Sequence, residues 1–352
     1  MPADVHVGCR GTVEGKGLSQ FCLRPSGFPL QSNSNFVDHG FANRKRVFST
    51  YPFNNSRWQP SKLQRRNPNS GINNNDQAVF FLLLKCSLRI SSTMASTSFY
   101  DSRIYPKWQL ECADPMEAVL EAADQHKIKF FIGGGFYGDW TSPTTISDPV
   151  AQKQRLQSLE EVVRLYGHHP SFHGWYWPDE AALKPRFSPE FITYVNTLSR
   201  RARQLKPNAP IMIAPYGTRM VIPDDAYVRQ LDAMDVDIVA YQDEVGVRKS
   251  KVTETSAFYE GLRKAHDRAQ KAKLWADVEI FQFEGAVYKS ALMPAPFERV
   301  LRQLEAVSPW VDEILVYQYQ GMMNKPGSTA FAGCPASTRL YTDYQNWRKS
   351  RG

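Results

Sequence analysis

Cysteine is scarce in this chain and scattered. Five residues, Cys9, Cys22, Cys86, Cys112 and Cys334, form no CxxC pair and are odd in number, so neither a disulfide framework nor a zinc site is signalled and free thiols are expected. Long apolar runs are missing too. The longest, residues 79–84, is far short of the roughly 20 residues that cross a bilayer, so no membrane partner is expected. The first thirty residues lack the apolar stretch of a secretory signal, which leaves the location open between cytoplasm and organelle. Acidic residues are rare at the start: residues 1–95 hold 12 Lys and Arg against 4 Asp and Glu, whereas the remainder holds 31 of each sign. The pI near 9.1 therefore describes the first quarter only. The neutral main body gives no electrostatic reason to expect nucleic acid.

What is present divides the chain. Residues 1–78 are rich in Asn, Ser, Pro, Gly and Arg without sustained periodicity. That composition suits disorder, an organellar transit segment, or translated non-coding sequence before Met94. Residues 1–45 are assigned to such an extension. Residues 46–98 are assigned to a possible degenerate start of the main domain, and residues 99–352 to the domain itself. From residue 99 onward, helical and strand patterns alternate. Amphipathic helices are predicted over 115–126, 148–166, from 188 with Phe191, Tyr194 and Leu198 inward, near 224–233, and over 256–271 and 295–307. On the second, Leu156, Leu159, Val163 and Tyr166 share the apolar face; on the third, Ser188 caps and Pro189 takes the first position. Strands are predicted to begin near 129, 172, 210, 236, 274 and 314, about 37 residues apart.

Regular βα units with no second domain predict a parallel sheet, specifically a closed (β/α)₈ (TIM) barrel, with an open doubly wound sheet as runner-up. Eight strands need two more upstream, near 92 and 55 on this spacing. Residues 79–84 and 47–53 are the apolar candidates, so the barrel's first quarter is atypical or incomplete.

In such barrels the active site lies at the C-terminal strand ends. That rule selects Glu180 after the fourth strand, Glu279 at the end of the seventh, and Asp179, Gln242 and Asp243 beside strand ends. It also selects the aromatics Tyr137, Trp140, Trp177, Tyr216, Tyr317 and Tyr319, expected to ring one cleft. Aromatic faces stack on sugar rings and carboxylates and amides bind hydroxyls, so an oligo- or polysaccharide is the expected partner. Two carboxyl groups flanking a glycosidic bond suffice for hydrolysis, with no metal or organic cofactor. Gln242, Tyr319 or Tyr241 would supply donors that keep Glu279 ionised. In a packed barrel the two carboxyls are expected to be close, the retaining arrangement.

The segments Gly174-Trp175-Tyr176-Trp177-Pro178-Asp179-Glu180, Ala240-Tyr241-Gln242-Asp243-Glu244-Val245-Gly246-Val247 and Trp275-Ala276-Asp277-Val278-Glu279-Ile280-Phe281 resemble the domain-of-unknown-function family 4434, described as candidate TIM-barrel glycoside hydrolases. The resemblance covers about residues 99–347. It implies a glycosidase, with Glu180 at the position that holds the acid/base in retaining barrel glycosidases and Glu279 at that of the nucleophile. That larger group carries Asn before the fourth-strand Glu, where this chain has Asp179.

Two other readings compete. A non-catalytic carbohydrate-binding barrel would keep the rim with an impaired first quarter. A nucleotide- or phosphate-dependent α/β enzyme would use Gly133-x-Gly135-x-x-Gly138, but no helix opens directly after those glycines. His168, His169 and His173 resemble a metal cluster but precede the fourth strand, on the face where stability rather than catalysis is expected. Because charge, composition and periodicity all change between residues 79 and 99, limited proteolysis should trim residues 1–45 and leave a folded remainder. Protection of Arg44, Lys45 and Arg46 in the intact protein would contradict this.

Overall fold

The computed structural model describes residues 88–91, 93–94, 97–108, 112–139, 142–328 and 333–350. Seven parallel strands form one sheet: β1 (Leu88–Ser91), β4 (Phe130–Gly133), β5 (Phe172–Trp177), β6 (Ile211–Ile213), β7 (Ile238–Gln242), β8 (Lys273–Glu279) and β11 (Glu313–Tyr317), hydrogen-bonded in that order. Two small antiparallel pairs flank it, β2 (Thr93–Met94) with β3 (Thr97–Ser98) and β9 (Phe281–Phe283) with β10 (Leu292–Pro294). The helices are α1 (Pro115–Gln125), α2 (Pro149–Tyr166), α3 (Pro189–Leu205), α4 (Asp225–Ala233), α5 (Val252–Ala269), α6 (Phe297–Val307) and α7 (Pro335–Lys349).

The strands follow one another in chain order, with no point where the order reverses. A doubly wound sheet requires such a reversal, so that alternative is excluded. Right-handed crossovers in one winding direction place every helix on the same face. The opposite face can then be buried only by curling the sheet onto itself. The cores record this. One cluster joins Trp175, Trp177, Val239, Tyr241, Leu274 and Val278 to helix residues such as Leu159, Leu198 and Leu262. A second contains strand residues and the strand-end Ala214: Phe131, Tyr176, Met212, Ala214, Ile238, Ala240, Trp275 and Leu315. It is the inner face packing on itself. Gly174 makes room there, since a Cβ at that position would lie 2.6 Å from the Phe131 ring and 2.5 Å from the Pro210 carbonyl oxygen. Among the described residues no pairing closes β11 onto β1.

Expected strands and helices fall within a few residues of those observed, and Phe172–Trp177 coincides. Residues 79–84 and 47–53, proposed as upstream strands, lie outside the described residues. The strand that pairs with β4 is β1, next to the position near 92 that the spacing predicts. The sheet thus begins before residue 99. Ser188 accepts from the Phe191 N–H at 3.2 Å, and Asp114, Asp148 and Asp224 cap α1, α2 and α4 in the same way; each such cap stabilises by about 1 kcal/mol.

Two expectations need correction. On α2, Leu159 and Tyr166 are buried, but so are Arg155 and Glu161, while Leu156 and Val163 are only partly covered. Glu161 is buried because it accepts from Tyr100 Oη, Ser102 Oγ and the Arg103 N–H at 2.7–3.1 Å, fastening residues 100–103 to the helix. The thiols also differ from expectation: Cys334 is free, but Cys112 is disulfide-bonded. The last helix and the β9–β10 pair went unpredicted; α7 buries only Ser337, Leu340 and Gln345, too few for an apolar stripe.

Tyr241 points into the helix layer. Its hydroxyl lies 2.6 Å from Tyr227 Oη and 3.0 Å from His266 Nε2, while His266 Nδ1 donates to the Ala272 carbonyl at 2.9 Å. Burial holds His266 neutral and lowers its pKa to about 4. The unfolded chain takes up that proton near pH 6.5. Between the two values the unfolded state binds more protons, so stability present at pH 7 is lost as pH falls. Between pH 7 and 5 this single group should cost on the order of 2 kcal/mol. The stability gap between wild type and His266→Gln, measured by thermal or urea unfolding, should therefore narrow at pH 5. A gap that is unchanged or wider would refute the assignment.

Candidate active site

Side chains alternate across a strand, so Trp275, Asp277 and Glu279 of β8 share the inner face. Glu279 ends the strand, is 4% exposed, and its Oε2 accepts the Val247 N–H at 2.8 Å. That donor belongs to the loop after β7, and Gly246 lets it approach. A Cβ on Gly246 would stand 2.7 Å from the Phe281 carbonyl oxygen and 2.9 Å from Glu279 Cβ.

Asp243 fastens the same loop. Its Oδ1 accepts from the Glu279 N–H at 3.1 Å and the Val245 N–H at 3.2 Å; its Oδ2 accepts from Gln303 Nε2 at 2.6 Å. Gln303 also donates to the Glu279 carbonyl at 3.1 Å, and Arg299 Nη2 to the Glu279 and Phe281 carbonyls at 3.0 and 2.5 Å. Burial raises the Asp243 pKa to about 6, against the hydrogen bonds and the nearby Arg299 guanidinium that favour its charge. Asp243 therefore faces α6 and the strand backbone. Its carboxylate oxygens are engaged by the Glu279 and Val245 main chain and by Gln303.

On β5 the same alternation separates neighbours. Tyr176 lies in the inner cluster and its hydroxyl donates to Glu180 Oε1 at 3.4 Å. Trp177 and Asp179 go the other way. Trp177 is fully buried, stacks on Trp175 and donates Nε1–H to Ser199 Oγ at 3.1 Å. Asp179 accepts from Tyr194 Oη at 2.8 Å and lies 3.5 Å from Arg155, whose guanidinium sits over the Tyr194 ring. Burial raises the Asp179 pKa despite Arg155. Neither residue belongs to the rim, which corrects both expectations.

The remaining expected residues divide. Tyr216 is half-buried at the rim, bridged to Ala182, with Lys249 Nζ 5.4 Å from its ring centre. Gln242 is in register with Asp277 and donates Nε2–H to the Ala214 carbonyl at 3.0 Å. Tyr317 is in register with Glu279 and meets Phe281 edge-on. Tyr319 is half-buried with its ring at the edge of Tyr341 on α7. Tyr137 is fully buried and stacked on Tyr105, so it is not an open sugar platform. Trp140 lies outside the described residues. Tyr241, suggested as a donor to Glu279, faces α4 and α5 instead.

Sequence reasoning missed Val247, Gly246, Arg299 and Gln303. Polar side chains four apart on an otherwise amphipathic helix were the legible signal for the last two.

The glycine run after β4 leads into a loop, and α2 begins only at Pro149. Gly134 sits against the Trp177 ring, where a Cβ would be 3.1 Å away, so close packing accounts for it. Of the three histidines, His168 and His169 stand with Glu117 as a group of possible metal ligands; His173 packs on Phe131 instead. Both nitrogens of His169 are already engaged, with Asp124 at 2.6 Å and Glu117 at 3.1 Å. Burial would lower its pKa, but those two carboxylates outweigh it and raise it.

A family model described as a domain of unknown function (DUF4434) matches residues 82–330. No curated protein sequence matches the chain. Among solved structures, a candidate alpha-L-fucosidase from Bacteroides thetaiotaomicron is similar with a TM-score of 0.64 at 18% identity, over 81% of this chain and 89% of that one. A GH2 beta-galacturonidase from Eisenbergiella tayi, bound to galacturonate, gives a TM-score of 0.47 at 14% identity, over 78% of this chain and 47% of that one. The first likeness is one of fold.

The loop geometry yields a direct test. Gly246→Ala should push the loop off β8 and destabilise the protein by about 1–3 kcal/mol. Hydrogen exchange at the Val247 amide should accelerate with it. Unchanged exchange at that amide would show that the close approach is not needed.

Proposed function

The chain belongs to the DUF4434 family, and on that premise we propose that it is a glycoside hydrolase acting on an oligo- or polysaccharide by a retaining, two-carboxylate mechanism. The observation that carries this reading is the inner-face placement of Glu279 at a strand end with a main-chain donor on its carboxylate. A donor favours the ionised form that a nucleophile requires. Fold likeness to a candidate fucosidase supports the reaction class.

In this proposal the sheet is part of a closed (β/α)₈ barrel. Glu279 attacks the anomeric carbon while Glu180 donates a proton to the departing oxygen, giving a glycosyl-enzyme ester. Glu180 then takes a proton from water, which attacks the same carbon and releases Glu279. Such chemistry requires the carboxyls about 5–5.5 Å apart. Tyr216, Gln242 and Tyr317 are the proposed sugar contacts. Asp243, Arg299 and Gln303 act through Glu279 by holding its backbone.

Turnover of aryl glycosides and natural oligosaccharides, with the product anomer followed by NMR, tests the proposal. Glu279→Gln should lower kcat by roughly three to five orders of magnitude while sugar binding persists. Glu180→Gln should impair natural substrates far more than activated aryl glycosides, which need little acid assistance. An inverted product would overturn the retaining mechanism. Sugar binding without turnover in the wild type would instead favour the non-catalytic barrel.

A further inference from the structure

The opposite mouth of the sheet carries a second feature. A cavity of about 550 Å³ opens among the N-terminal strand ends, away from Glu180 and Glu279. Ligand pockets commonly span roughly 300–1,000 Å³, so this one has room for a small organic molecule. Trp275 of β8 forms part of its wall.

The charges there are unevenly answered. Arg203 and Asp237 satisfy each other at 3.1 Å, and Asp237 also accepts the Ile211 N–H at 2.7 Å. Lys129 and Lys273, both exposed at the mouth, have no carboxylate within 4.0 Å among the described residues. Glu313 is the remaining acid of the lining. His173, between the two lysines, has its pKa lowered by burial and then by both ammonium groups, so their fields overlap at its ring. Trp275 is only 5% exposed and supplies an aromatic part of the cavity lining; its Nε1–H is closed to solvent and has no acceptor among the described residues.

We propose that this cavity binds a small organic anion, through a phosphate or carboxylate group held by Lys129 and Lys273 beside the Trp275 wall. Two ammonium groups and a neutral imidazole offer hydrogen-bond donors to an oxyanion. One acid, Glu313, offsets part of the charge and limits the site to modest affinity. The aromatic wall would take the apolar part of the ligand. This site is independent of the glycosidase reading.

The test uses the full chain, with inorganic phosphate and citrate as separate probes at up to about 10 mM. Saturation at roughly tenfold over Kd should raise Tm by about 2–4 °C. The ¹⁵N-indole signal of Trp275, assigned through Trp275→Phe, should move in the same titration. A response to phosphate alone, to citrate alone or to both supports an oxyanion site and identifies the anchoring group. The Lys129→Ala/Lys273→Ala double variant should keep the anion-free Tm and bind at least tenfold more weakly. Lys273→Arg should retain the response. No response to either probe would overturn the proposal. So would an equal effect of sodium chloride at matched ionic strength, or an undiminished response in the double variant.

Discussion

A parallel sheet wound in one direction leaves one face without helices, and this constraint governs the rest of the molecule. Seven strands in chain order commit all their crossovers to the outer face. The inner face then has to bury itself. Phe131, Tyr176, Met212, Ile238, Trp275 and Leu315 meet there and form a plug. Every residue on the strands acquires one of two fates by parity alone, helix layer or interior. The proposed catalytic pair, Glu180 and Glu279, lies beyond the plug.

Parity also explains how a charged strand end is tolerated. Glu279 is almost fully buried, and burying a carboxylate without partners is costly. Its main chain is held by Asp243, Gln303 and Arg299 from the outer side, and its carboxylate by Val247 from the loop above. The network joins the loop after β7, the end of β8 and α6, which contributes both Arg299 and Gln303. Asp243 is central because one oxygen holds the loop and the strand together while the other reaches the helix. Removing it would leave several buried donors unmet at once.

Much of this was legible in the sequence, and some of what was misread was legible too. Periodicity located Phe172–Trp177 and every later sheet strand, because long helices punctuate them at regular intervals. Spacing placed a strand near residue 92, close to Leu88–Ser91, whereas apolar content pointed upstream to 79–84. Parity accounts for where Trp177 and Asp179 point. If Glu180 follows Tyr176 to the interior, then Trp177 and Asp179 must face the helices, as they do. The same rule separates Gln242 from Asp243. The partners of these outward groups, Ser199, Tyr194, Arg155 and Gln303, lie on distant helices, and no local pattern pairs them. Arg155 and Glu161 were missed for that reason: their burial depends on tertiary partners, not on the apolar stripe of α2.

The plug also separates two environments. Lys273 and Glu279 are the two ends of one strand, six residues apart, or about 20 Å at roughly 3.3 Å per residue. Two unit charges that far apart interact by only about 0.8 kcal/mol at an effective dielectric near 20. Salt reduces this further, since the screening length is about 8 Å at physiological ionic strength. Cations at the lower mouth therefore do little to the ionisation of carboxylates at the upper one. Each mouth answers to its own neighbours: Val247 and Tyr176 above, and Trp275, His173 and Glu313 below. The inner aromatic layer that the winding demands, Phe131 against Trp275 with ring centres 6.2 Å apart, thereby makes one sheet carry two chemically independent ends.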